Sequence, residues 1–202
     1  MKQLLIVLIA GLMGLVANAQ EGSFMSHLYL PVGAGVSFGG KSGIGGAFYM
    51  RASLEYRPNV HKGLFVVAEL DTRTHPYTDG GIVSGNVAAG DGAFTDILLG
   101  PGWRFMCSDS FKIALALQGG ATNLAYKEVA TEKVNNKYVL NGRDYWSAAA
   151  KGSVIFEYYL NPKFDLFLNV GVPACMVPME YASMDELVFF PTVSLGFSMA
   201  LE

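Results

Sequence analysis

Apolar and polar residues alternate along most of this chain with a period of two. From Ile44 to Arg57 the even positions Ile44, Gly46, Phe48, Met50, Ala52, Leu54 and Tyr56 are apolar or small, and Tyr49, Arg51, Ser53, Glu55 and Arg57 fall between them. Successive side chains of a strand point to opposite faces, so the pattern predicts a strand with one greasy and one charged face. A strand of a globular sheet usually runs about 5–6 residues. This stretch is longer, and covers the roughly 9–11 residues that a tilted strand needs to cross a bilayer. The competing reading is a long amphipathic strand of a soluble barrel.

The same alternation recurs over His27–Phe38, Leu64–Thr74, Ala93–Phe105, Phe111–Asn123, Trp146–Leu160, Phe164–Met176 and Leu187–Leu201, which with the central stretch predicts eight strands. Pro58–Lys62, Cys107–Ser110 and Asn161–Lys163 have the composition of short turns, and Gly39–Gly43 is a Gly-rich link. His75–Asp91, Lys127–Asp144 and Val177–Glu186 break the alternation and are expected to be longer loops. An even number of strands with short turns at one end and long loops at the other is the pattern of bacterial outer-membrane barrels. Pro101, flanked by Gly100 and Gly102, is expected to mark a bulge, because a closed barrel has no free edge for a residue without an N–H.

Aromatics on the apolar face sort to its two rims. Tyr56, Trp103, Phe105, Phe111, Tyr158, Phe164 and Phe197 belong to the short-turn end, and Phe38, Phe48, Trp146 and Phe189 to the long-loop end. Rings favour the lipid–water boundary, whereas a soluble ligand-carrying barrel would turn this apolar face inward with no reason to sort its rims.

The N-terminus supports export. Lys2, an apolar core from Leu4 to Val16 and the small-x-small triplet Ala17-Asn18-Ala19 describe a secretory signal peptide over residues 1–19, leaving residues 20–202 as the barrel domain. No Cys follows that core, which disfavours a lipid anchor. Cys107 and Cys175 fall near opposite ends of the predicted barrel, so two free thiols are expected. A net charge of −3 without a basic cluster gives no nucleic-acid face.

On these grounds the chain from Ser26 to Leu201 resembles the eight-stranded outer-membrane β-barrel family, the OmpA-like and porin-family group. Its Gly-rich strands are similar to barrels of the Bacteroidetes type. The resemblance implies an all-β, antiparallel up-and-down transmembrane barrel in the bacterial outer membrane. The partners it implies are outer-membrane lipids including lipopolysaccharide, and the barrel-assembly machinery. Such barrels commonly finish on an aromatic residue read during assembly; here Phe197 is the last ring and Leu201 is the expected stand-in.

The charged face would then line the lumen. Its candidates are Arg51, Arg57, Arg73, Arg104, Lys112 and Lys151 against Glu55, Glu69, Asp71, Asp96, Glu157 and Asp165, six of each sign. Eight strands enclose just enough room for their own side chains, and buried charges must be paired. The set therefore predicts interlocking ion pairs, with Gly33, Gly35, Gly100, Gly102 and Gly171 making room. Counting from the centre of the 58–62 turn sets Arg51 opposite Glu69 and Tyr49 opposite Asp71. The alternatives are a narrow pore for small solutes and a secreted soluble ligand-binding barrel.

The family scaffold also carries lipid A deacylases and acyltransferases, which need a nucleophile and a base in contact. The only histidines are His27, His61 and His75, and His75 is expected to open a loop without a Ser or acid partner. No enzyme, cofactor or metal site is therefore expected. The outer loops Tyr77–Asp91, Lys127–Arg143 and Met179–Glu186 are the surfaces left to meet an extracellular ligand.

Overall fold

The computed structural model describes residues 27–40, 43–77, 90–134, 137–161, 163–177 and 186–201. The signal-peptide stretch 1–19 and the loop residues 78–89 and 178–185 lie outside these residues. The strands are β1 (Leu28–Ser37), β2 (Ala47–Tyr56), β3 (Gly63–Tyr77), β4 (Gly90–Met106), β5 (Phe111–Val134), β6 (Lys137–Asn161), β7 (Phe164–Val177), β8 (Glu186–Phe189) and β9 (Thr192–Ala200). Each of β1 to β6 pairs antiparallel with the next in sequence. β9 bridges β1 and β7, and β6 pairs with β7, so the sheet closes on itself. Closure removes the open edges of the barrel wall itself. The short strand β8 continues the line of β9, and the two together make the eighth stave of the wall.

The alternation alone predicts one continuous strand over Leu187–Leu201, but the eighth stave is broken into β8 and β9. It is interrupted at Phe190-Pro191, where Pro191 has no N–H to give to a ladder. Pairing with β7 nevertheless keeps step, Gly171 facing Thr192 on one side of the break and Ala174 facing Phe189 on the other. The Phe190 amide donates to the Pro173 carbonyl at 2.8 Å and the Phe38 amide to the Pro191 carbonyl at 2.8 Å.

Pro101 makes no bulge. Leu99 to Trp103 face Ala68 to Leu64 without a shift, and toward β5 Leu99 faces Gly119 and Gly102 faces Ala116 in one unbroken register. The glycine beside it explains the tolerance. A Cβ on Gly100 would collide with the Leu117 carbonyl, so β4 and β5 stay close where Pro101 offers no donor.

Two further boundaries differ from the sequence pattern. The polar stretch Lys127–Asp144 is not a loop: β5 and β6 remain paired out to Val134 and Lys137, with irregularities at Tyr126/Val129 and Ala130/Glu132. The segment holds Val129, Val134, Tyr138 and Val139, good strand formers despite their charged neighbours. Beyond Tyr126 the ladder from β4 has ended, so this hairpin continues as a two-stranded ribbon. The central strand starts at Ala47 rather than Ile44. Ile44 turns inward and is buried, after Gly43 takes a left-handed φ of 84°.

Each short turn is closed by its own side chain. The Asn59 Oδ1 accepts from the amides of His61 (2.9 Å) and Lys62 (3.2 Å). The Asn161 Oδ1 accepts from Lys163 (2.9 Å) and Phe164 (3.1 Å), and the Ser108 Oγ accepts from Phe111 (3.1 Å).

The faces separate cleanly. Phe48, Met50, Leu99, Leu117 and Leu195 stand exposed on the outside of the wall, whereas Arg51, Asp71, Arg73, Asp96 and Lys151 are buried inside it. The exposed rings Trp103, Phe105, Tyr158, Phe164 and Phe197 lie toward the short turns, and Phe38, Phe48, Trp146 and Phe189 toward the other rim. Cys107 is exposed, Cys175 is buried, and neither is bridged.

Candidate functional site

All twelve charged residues named from the alternation are buried and paired, and they form two separate networks. At the short-turn end Arg57 is the hub. Its Nε lies 2.8 Å from Glu55, its Nη1 2.8 Å from Asp165, and its Nη2 3.5 Å from Glu157 and 3.1 Å from the Ser198 hydroxyl. Its guanidinium sits 4.0 Å from the Tyr29 ring centre. Arg104 grips Glu157 with two bonds of 2.6 and 2.7 Å and reaches Glu55 at 3.2 Å. Lys112 closes this layer, 3.8 Å from Asp165 and 3.3 Å from the Val60 carbonyl.

The second network lies at mid-height. Arg51 meets Glu69 at 2.5 Å, and Lys151 bonds both Glu69 and Asp71, the latter at 3.0 Å. The Tyr49 hydroxyl accepts from Lys151 at 2.6 Å and donates to Asp71 at 3.0 Å. Arg73 bridges Asp71 at 3.1 Å and Asp96 at 2.5 Å, and Thr122 donates to Asp96. The first network holds Arg57, Arg104 and Lys112 against Glu55, Glu157 and Asp165. The second holds Arg51, Arg73 and Lys151 against Glu69, Asp71 and Asp96. Each is neutral by itself, which is what burial of ions demands.

Their register departs from the sequence reading. Arg51 lies directly opposite Asp71, Ser53 opposite Glu69, and Tyr49 opposite Arg73. The ladder is displaced by two residues because the hairpin is centred on His61 rather than Val60, with Gly63 at φ 102° and the first β2–β3 pair at Tyr56 and Val66. The Arg51–Glu69 and Tyr49–Asp71 contacts therefore exist as diagonals.

Apolar layers separate and cap the networks, a feature that alternation between charged and greasy faces does not reveal. Phe65, Val67, Ala114, Ala116, Ile155 and Phe167 form one cluster. Ile44, Phe94, Leu98, Leu124, Ala149, Cys175, Val177, Val188 and Phe190 form the other, at the long-loop end. Position parity places Phe65, Phe94 and Phe167 inward, and that is the signal that could have found them. Glycines make the space: a Cβ on Gly33 would lie 2.9 Å from the Phe167 ring, and one on Gly102 would overlap Phe65. A gap of about 180 Å³ beside Arg51, Glu55, Arg57, Ile155 and Phe167 is too narrow for a water-sized sphere.

His75 does not open a loop. It lies within β3, its Nε2 3.0 Å from the Ser37 Oγ and its Nδ1 2.7 Å from the Gly45 carbonyl. A carbonyl only accepts, so Nδ1 carries the proton and Nε2 accepts from Ser37. Both residues are fully buried, and the His75 ring packs against Phe94 and Phe190. The pair ties β1 and the first link to β3. Among the described residues no group of three or more His, Cys, Asp or Glu is placed to hold a metal ion.

No protein-family model and no curated protein matches the sequence. Solved structures do match in shape. Neisserial surface protein A aligns over 86% of this chain and 97% of its own, with 14% identity and a TM-score of 0.59. The attachment invasion locus protein Ail of Yersinia pestis (10% identity, 85% and 98% covered, TM-score 0.49) and the outer membrane protein OprG of Pseudomonas aeruginosa (15%, 86% and 95%, 0.47) align more loosely. The chain is a closed, antiparallel β-barrel of eight staves, and it shares that fold with Neisserial surface protein A.

Proposed function

We propose that this chain is an exported outer-membrane barrel whose working surface is the long-loop end, the wall serving as a closed, non-enzymatic anchor. The observation that carries this reading is the inverted distribution of polarity. Twelve paired charges fill the inside, while leucine, methionine and aromatic side chains cover the outside. In water that arrangement would expose a far larger apolar area than the few hundred Å² usual for a monomer. In lipid it is the favourable one. Under this reading the signal peptide is cleaved after Ala19, and the barrel-assembly machinery and outer-membrane lipids including lipopolysaccharide are its envelope partners. The β5–β6 ribbon that outruns the wall is the element best placed to meet an extracellular ligand.

Planar-bilayer recording tests the closed wall. The barrel should insert without discrete conductance steps. Regular steps would favour the narrow-pore alternative, in which the ion-pair layers line a path. A protease added to intact cells should cut within Lys127–Arg143 and spare the turns at Pro58 and Asn161; cleavage at the turns alone would invert the orientation.

A further inference from the structure

Among the described residues the outer wall has a concavity that the closed-anchor reading does not use. At the short-turn end a groove of about 710 Å³ lies between the β2–β3 and β4–β5 turns, lined among others by Asn59, Lys62, Trp103, Arg104, Phe105 and Ser108. Its volume falls within the roughly 300–1,000 Å³ of small-molecule sites. Its lining is divided by chemistry. Trp103 and Phe105 are exposed rings of the short-turn girdle, and Trp103 faces Leu64 across the ladder, so the groove runs into the apolar belt. At the other side stand turn residues, with Lys62 exposed and its amide fixed to the Asn59 Oδ1 at 3.2 Å. Gly63 adds no side chain, and a Cβ built there meets nothing within 4 Å.

Charge selects the occupant. The lining holds one exposed cation, Lys62, and no carboxylate. Arg104 borders the groove through its backbone alone, since its side chain turns inward to Glu157 and Glu55. A ligand that suits this groove has an anionic head for the Lys62 side and an apolar tail for Trp103 and Phe105. The geometry points to a binding site for one anionic phospholipid of the leaflet at the short-turn end, its phosphate at Lys62 and its acyl chains along Trp103 and Leu64. This inference rests on the membrane reading above and adds a specific lipid class and place to it. A single lysine at an anionic interface supports a preference of about two- to five-fold.

The two tryptophans, Trp103 and Trp146, provide the test, because they lie at opposite rims. A Trp146→Phe protein is reconstituted in equal mixtures of phosphatidylglycerol and phosphatidylcholine, with one of the two brominated on its acyl chains at a time. Trp103 emission should be quenched about two- to five-fold more effectively by brominated phosphatidylglycerol. Lys62→Gln should make the two lipids equal, and raised salt should do the same in the Lys62 protein. The mirror protein, Trp103→Phe with Trp146 kept, should show no preference of this size. Equal quenching in the Lys62 protein, or a preference that survives Lys62→Gln, overturns the site and leaves the membrane reading standing. If Trp146 is quenched and Trp103 is not, a second protein copy covers the groove and the site is overturned. If neither tryptophan is quenched by either lipid, the membrane reading itself fails.

Discussion

Arg51 and Glu69 meet across a diagonal. The ladder sets Arg51 opposite Asp71 and Ser53 opposite Glu69, yet the Arg51 Nη2 lies 2.5 Å from the Glu69 carboxylate. The straight partner Asp71 is taken by Lys151 and Arg73. Glu69 in turn is shared between Arg51 and Lys151. The mid-height network is therefore a chain of shared carboxylates rather than a row of independent pairs, and its members should couple strongly when altered.

Glu69→Gln leaves Arg51 and Lys151 short of a counter-charge in a buried layer, a change that costs about 3–5 kcal/mol. The temperature at which the folded form is lost in heat-modified gel migration should fall. Arg51→Met combined with Glu69→Met keeps Lys151 and Arg73 balanced by Asp71 and Asp96, so it should recover part of the loss. A double variant no better than Glu69→Gln would show that the pair is not coupled.

The inward glycines give a second expectation. A Cβ at Gly196 would lie 2.6 Å from the Phe167 ring and 2.7 Å from the Gly33 Cα, and backbone cannot move aside. Gly196→Ala should destabilise by about 1–3 kcal/mol. Gly152 faces outward with nothing within 4 Å of its added Cβ. Gly152→Ala should stabilise by about 0.5–1 kcal/mol, because glycine is a costly strand residue. Urea unfolding in detergent micelles compares the two; equal effects would remove the packing argument.

The cysteines report on closure. Cys107 is exposed and Cys175 lies in the apolar cap with Val188 and Phe190. A maleimide should label one thiol per folded barrel and two after unfolding, because burial withholds the Cys175 sulfur. Rapid labelling of Cys175 in a Cys107→Ser protein would mean the long-loop mouth is open.

Which face each residue takes was legible because period two survives a register error of two. Displacing β3 against β2 by two residues, as the 57–62 turn does, changes every partner and no face. Arg51, Glu69 and Asp71 therefore keep their inward face, and the Arg51–Glu69 and Tyr49–Asp71 contacts persist as diagonals although the residues directly opposite differ. The Arg104–Glu157 grip joins β4 to β6, strands that are not adjacent in the wall, and no local pattern carries such a contact. The inward Phe65, Phe94 and Phe167 interrupt the charged face, and an alternation of charged with apolar residues does not mark such positions. Pro101 departs from the expected bulge for a different reason: Gly100 allows a close strand approach that only the three-dimensional ladder displays. The β5–β6 ribbon was hidden by its charged residues, which mark a solvated strand as readily as a loop.

The central claim is that the apolar face meets lipid and the charged face is the interior. Leu117 is 68% exposed and lies near mid-height, level with Gly152 on β6. The decisive measurement is the free energy of folding into lipid bilayers for Leu117→Arg. A lipid-facing arginine near the bilayer midplane should cost roughly 2–4 kcal/mol. A Leu117→Arg protein that is as stable as its parent, or that folds in water without detergent, would contradict the account and place this face in solvent.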